Sequence, residues 1–120
     1  MEGTGNFSDH PYLDQLRANL FKPPLPDAIG PRELRELVRR ELIIEENGIF
    51  FSNDAVGKAA EIISNLLQDN PEGVTVGEIR IALDSTRKFV IPLLSHLDQI
   101  GATVRRNDVR LAGKRLKEII

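Results

Sequence analysis

Residues 74–113, VTVGEIRIALDSTRKFVIPLLSHLDQIGATVRRNDVRLAG, decide the fold. Thr75 and Glu78 stand at the spacing of a capping box in front of Ile79, Ala82 and Leu83, with Val74 and Ile79 placed as its hydrophobic staple. A short helix is predicted to start there and to end at Asp84 and Ser85. Ser85 is the expected N-cap of a second helix. Phe89, Val90, Leu93, Leu94, Leu97 and Ile100 recur in it at helical spacing up to Gly101, a C-terminal glycine. The first turn of this second helix carries Thr86, Arg87 and Lys88.

Beyond Gly101, Asn107-Asp108 is an acceptable two-residue turn, so a hairpin is predicted that pairs Arg106 with Val109, Arg105 with Arg110 and Val104 with Leu111. Val104, Val109 and Leu111 then share one face, and Arg105 and Arg110 oppose each other on the other. Such a like-charge pair destabilises a sheet unless an anion lies between the two or both splay into water. Helix, tight turn, helix and basic hairpin together make a winged helix-turn-helix. In that architecture the N-terminal turn of the second helix and the wing are the parts that reach a nucleic acid, and both are basic here. Ser85, Thr86 and the free N–H groups of the turn add phosphate donors at the positive end of the helix dipole.

Upstream, Ser52 or Asn53 caps a helix running to Asn70-Pro71 and Gly73, with Ala55, Ala59, Ile62 and Leu66 beside Val56, Ala60, Ile63 and Leu67 on a broad apolar face. Before it, Leu42 to Ser52 reads as a hairpin, because Asn47-Gly48 supplies the positive φ angles of a two-residue turn. Pro31 sits at a first helical position before Leu34, Leu37, Val38 and Leu42, whose opposite side of Arg32, Glu33, Arg35, Glu36, Arg39 and Arg40 reads as a solvated face. Ser8 or Asp9 is expected to cap an earlier helix from about Pro11 to Phe21, with Tyr12, Leu13, Leu16 and Leu20 on one side, stopped by Lys22-Pro-Pro-Leu-Pro26. The order repeats that of a winged helix whose middle helix has shrunk into prolines.

The expected fold is thus α+β and mainly helical. Residues 1–8 read as a disordered extension, 9–52 as an abbreviated winged-helix module, and 53–120 as a complete one. With only Ser52 and Asn53 between them, the modules are expected to touch. Glu45 and Glu46 beside the first turn would repel phosphates, so the first module is not expected to read nucleic acid.

Charge agrees with that division. Residues 1–73 hold seven basic and thirteen acidic side chains, net −6, and residues 74–120 hold nine and five, net +4. A basic third on an acidic chain fits a local polyanion site, although a solvated basic face gives the same count. No apolar run approaches a membrane span and the first ten residues lack the apolar stretch of a secretion signal, so a cytoplasmic monomer is expected. The lack of cysteine removes disulfides, thiolate catalysis and cysteine zinc sites. His10 and His96 offer no metal pattern, and His96 reads as a helix-surface residue. No carboxylate pair is spaced for acid–base work and no phosphate-binding GK[ST] loop is present, so neither enzyme activity nor a cofactor is expected. RNA binding, DNA binding and protein docking remain open on composition.

The run Ala82-Leu-Asp-Ser-Thr-Arg-Lys-Phe-Val-Ile-Pro-Leu-Leu94, with Leu97-Asp98-Gln-Ile-Gly101 and Arg105-Arg-Asn-Asp-Val-Arg110, resembles the last winged-helix domain of the bacterial selenocysteine-specific elongation factor. The resemblance is strong over residues 74–111, weaker over the preceding wing and helix, and faint before Pro31. It implies an RNA-binding end of such a factor, one that grips the selenocysteine-insertion hairpin of messenger RNA. GTP, selenocysteinyl-tRNA and the ribosome would be handled by other domains. By position, Arg87 and Lys88 match the family's basic pair, Arg105, Asp108 and Arg110 its wing, and Pro92 its mid-helix proline, which should bend the helix after the basic turn. The chain departs from the family at Asp84 and Asn107, where glycine is expected, at Phe89 in place of tyrosine, and at Val104 in place of a frequent arginine, with Arg106 one position out of step. The expected RNA-binding set is Ser85, Thr86, Arg87, Lys88, Arg105, Arg106 and Arg110, with Arg105, Arg110 and Lys88 clamping phosphates and Arg87 reaching an exposed base.

Overall fold

A computed structural model describes residues 10–120, so the expected extension at residues 1–8 lies outside the described residues. Helix α1, Pro11–Ala18, opens with proline in its tolerated first turn, and its N-cap is His10. The imidazole Nδ1 of His10 accepts the Tyr12 N–H at 3.1 Å, so the cap is neither Ser8 nor Asp9. The helix also stops sooner than its apolar spacing predicts. Asn19 leaves helical geometry and its side-chain amide donates to the Gln15 carbonyl at 2.8 Å, which closes the last turn. Leu20 and Phe21 are thereby released to pack on the core that includes α3, while Tyr12, Leu13 and Leu16 bury against Leu37 and Ile43. The Tyr12 hydroxyl donates to the Pro24 carbonyl at 2.9 Å and pins the proline segment. Burial, helped by the charge of Asp27, pushes that phenol up to about 12.

Helix α2, Pro31–Arg39, buries Leu37 and turns its arginines outward. Arg39, then Arg40, hold the Glu36 carboxyl down at about 2 through hydrogen bonds along the exposed face. Strands β1, Ile43–Glu46, and β2, Ile49–Ser52, pair antiparallel about Asn47-Gly48, whose φ angles of 54° and 80° are those the turn requires. Ser52 ends β2 and at the same time caps helix α3, Asn53–Asp69, its hydroxyl accepting the Ala55 N–H at 3.2 Å. No linker separates the two halves, and Phe51 at the end of the first hairpin is fully buried in the core built on α3.

After α3 come a two-residue strand β3, Val74–Thr75, helix α4, Val76–Leu83, and helix α5, Arg87–Gln99. The capping box closes as the sequence indicates, Glu78 N–H to the Thr75 hydroxyl at 3.1 Å and Thr75 N–H to the Glu78 carboxylate at 2.8 Å. Strands β4, Thr103–Arg106, and β5, Val109–Ala112, form the wing in the predicted register, Arg105 opposite Arg110. Strand β3 adds to it, giving a sheet in the order β3-β5-β4. A winged helix results, α+β and mainly helical. Two positions where glycine was expected, Asp84 and Asn107, adopt left-handed φ angles of 52° and 57°, a conformation that short polar side chains tolerate. Helix α5 runs through the buried Pro92.

A last element, helix α6, Leu116–Ile119, has no capping signal in the sequence and exists because Leu116 reaches the core beside α3. Its approach depends on Gly113. A Cβ there would meet the Gly101 carbonyl and sit 2.8 Å from the Ala102 carbonyl carbon, both backbone and unable to yield. We predict that Gly113→Ala destabilises the fold by about 1–3 kcal/mol through this overlap. Gly57→Ala, inside α3 with only the Ile119 carbonyl at 3.7 Å, should stabilise by about 0.5–1 kcal/mol. Urea unfolding of both variants checks the pair, and equal midpoints would contradict it.

Candidate nucleic-acid interface

Helix α5 begins with Thr86 as its N-cap, not Ser85. Ser85 is only 6% exposed, and its hydroxyl donates to the Phe21 carbonyl of the first module. That side chain therefore holds the protein together and is not a phosphate donor. The physical reason lies in Asp84: its left-handed turn swings Ser85 inward, and the Ser85 N–H closes back onto the Arg80 carbonyl at 3.1 Å. Thr86 is exposed and makes no side-chain capping bond. Arg87 and Lys88 project from the first turn into solvent, with the Lys88 ammonium 5.3 Å from the centroid of the Phe89 ring.

The wing departs further from expectation. Arg105 is exposed, its Nε donating to the Asn107 carbonyl at 3.2 Å, whereas Arg110 is 6% exposed. Arg110 reaches across to α5 and grips Asp98 with two hydrogen bonds, Nε to Oδ1 at 3.1 Å and Nη2 to Oδ2 at 2.9 Å. Thr103, also buried, donates to the same carboxylate at 2.6 Å. The anion that relieves the Arg105–Arg110 conflict is thus the protein's own Asp98. Arg110 is a structural residue, not a phosphate clamp. It is the arginine face of the sheet that meets α5, and Val104 on the other face is left 44% exposed. Arg106 shares that outer face and lies on the far side of the wing from Arg105.

Between α5, the start of α4 and the wing lies a groove of about 330 Å³. Arg87, Ile91, Arg105 and Asp108 line it together with Thr75 and Gly77. The structure therefore brings Arg87 and Arg105 to one concave surface, keeps Thr86 and Lys88 beside the same helix start, and withdraws Ser85; Arg110 also lines the groove, but its guanidinium is tied to Asp98. Ile91, exposed one helical turn after Arg87, is an apolar floor that sequence reading passed over. Its helical spacing from Arg87 was the available signal. Asp98 carried no such signal, since its partner lies across a hairpin.

Residues 65–112 match the family model described as elongation factor SelB, winged helix. Over this segment the chain is similar to the SelB winged helix. The SelB match covers the end of α3 through the whole wing, which is the part that builds the groove. Among solved structures, the mRNA-binding domain of elongation factor SelB from E. coli, determined in complex with SECIS RNA, is 26% identical at a TM-score of 0.63, covering 69% of each chain. A bacterial selenocysteine-specific elongation factor, EF-Sec, shares the fold at 21% identity and a TM-score of 0.71 over 94% of this chain. The chain spans about a fifth of the length of that factor, 20%. No curated protein matches the sequence. Among the described residues no helix is long and apolar enough to cross a membrane, and no group of histidines, cysteines and carboxylates could hold a metal ion.

The Arg110–Asp98 pair generates a stability prediction. Arg110→Ala removes charge-assisted hydrogen bonds from a carboxylate that is mostly covered and should cost about 1.5–3 kcal/mol. In a double-mutant cycle with Asp98→Ala the two losses should be strongly non-additive. Chemical denaturation of the four proteins measures this, and additive losses would mean that the pair is not a unit.

Proposed function

We propose that this chain binds RNA and is the messenger-reading end of a selenocysteine-specific translation elongation factor, with a selenocysteine-insertion hairpin as its ligand. The observation that carries this reading is the convergence of Arg87 and Arg105 on one groove in the segment that matches the SelB winged helix. The RNA-bound state of the E. coli relative supports the choice of ligand. In this reading residues 10–52 and 53–120 act as two winged-helix modules of one cytoplasmic protein, the first abbreviated. The chain works by binding, with GTP, selenocysteinyl-tRNA and the ribosome engaged by other domains of the factor.

Phosphate contacts come from Lys88 and Arg105, which are exposed, and from the free N–H groups at the start of α5, whereas Arg106 lies on the opposite face of the wing. Arg87, which lines the groove together with the apolar Ile91, carries a planar guanidinium able to stack on or hydrogen-bond an exposed loop base. The two roles differ in what they discriminate. Phosphate contacts fix position without regard to sequence, and base contacts select.

Gel shifts with a selenocysteine-insertion hairpin, its linear scramble and a DNA duplex test the reading, which fails if the hairpin is not preferred. With about four phosphates neutralised, the log–log salt slope of hairpin binding should be near −3. Arg87→Ala should cost about 1–3 kcal/mol on the hairpin and much less on one with altered loop bases, whereas Arg105→Ala should weaken both alike and flatten the slope by about one unit. Equal effects of Arg87→Ala on both hairpins would make it another phosphate clamp.

A further inference from the structure

The first module carries a cation to the mouth of the reading helix. The chain leaving α1 does not simply connect two helices. Leu20 and Phe21 pack on the core of the second module, and the Phe21 carbonyl accepts the hydroxyl of the buried Ser85, two residues before α5 begins. Lys22 follows immediately. It is exposed, and together with Arg17, Asn19 and Phe21 it lines a shallow surface of about 370 Å³ whose other wall is Leu83 and Asp84 of the α4–α5 turn.

Asp84 and Arg87 are three residues apart, so even a fully extended chain would place their Cα atoms within about 11 Å of each other. Lys22, on the surface walled by Asp84, therefore lies close in space to the first turn of α5, within reach of a ligand laid across that turn. Arg17 on the same surface is bound to Asp54 at 2.8 Å, which leaves Lys22 as the cation positioned to act there. It offsets the Asp84 carboxylate, which would otherwise repel a phosphate from the helix start.

We propose that Lys22 is part of the RNA-binding surface, and that this surface spans both modules through the Phe21–Ser85 junction. The proposal rests on the RNA reading above and deepens it. The acidic first module as a whole is held away from the ligand by its sign of charge, but this one segment is drawn across the boundary. A second module cut free at Ser52 would lose the lysine and the carbonyl that anchors Ser85 together.

The test uses the full chain and the same hairpin RNA. Lys22→Ala should weaken binding about fivefold and reduce the magnitude of the salt slope by about 0.7–0.9, one phosphate contact. Lys22→Glu should weaken it further, and Lys22→Arg should bind as the unaltered chain does. Lys58→Ala, removing an exposed lysine on α3 that is paired with Glu61, serves as the control for loss of one charge and should change little. Thermal unfolding of each variant should match that of the unaltered chain. Affinity and slope unchanged in Lys22→Ala and Lys22→Glu, or the same loss in Lys58→Ala, would overturn the proposal. Failure of the unaltered chain to bind the hairpin would instead overturn the RNA reading on which it stands.

Discussion

One carboxylate holds the wing to α5. Asp98, on the last turn of α5, accepts hydrogen bonds from Thr103 at the base of the wing and from Arg110 in its second strand. A two-stranded ribbon has little apolar surface of its own and would otherwise move relative to the helix it flanks. Tying both strands to one point on α5 fixes the distance between the wing and the helix start. The arginine that completes the tie also stands opposite Arg105 in the sheet, so the pairing of Arg110 with Asp98 relieves the repulsion between the two arginines and leaves Arg105 turned outward. The groove between Arg87 and Arg105 has its width set by this contact.

The two halves of the chain are joined at several independent places. Ser52 is at once the last residue of a strand and the cap of α3, and Phe51 lies in the core shared with α3, α4 and α5. On another side Glu46 meets α5, accepting from Gln99 at 3.2 Å and lying 3.5 Å from the His96 imidazole, both groups largely covered. These contacts resolve the electrostatic difficulty of an acidic wing near a basic site. Glu46 does not face outward, because it is used in the junction, and His96 is not the simple surface residue its helical position suggested.

Much of the fold is legible in the sequence because it rests on local rules. The capping box of Thr75 and Glu78, the Asn47-Gly48 and Asn107-Asp108 turns, Pro31 at a helix start and the Ser52 cap are each decided by residues within four positions. The wing register was likewise available from its turn, residue by residue. What escaped was long-range. Nothing near Ser85 announces a partner at Phe21, and nothing near Arg110 points to Asp98, so a buried serine and a buried arginine both read as surface donors. Helix α6 and strand β3 escaped for the same reason, since each is short and exists only through what it packs or pairs with.

The bond between Ser85 and Phe21 joins residues 64 apart in the chain. Closing a loop of that size costs entropy that local turns do not, and the cost is recovered only once both ends are already shaped. The α4–α5 turn can form early from its own residues, but its inner side is completed late, when a segment synthesised long before docks onto it. During synthesis the earlier half emerges first, before the residues that Leu20 and Phe21 pack against. The turn that starts α5 is thus the seam where an early segment and a late one meet.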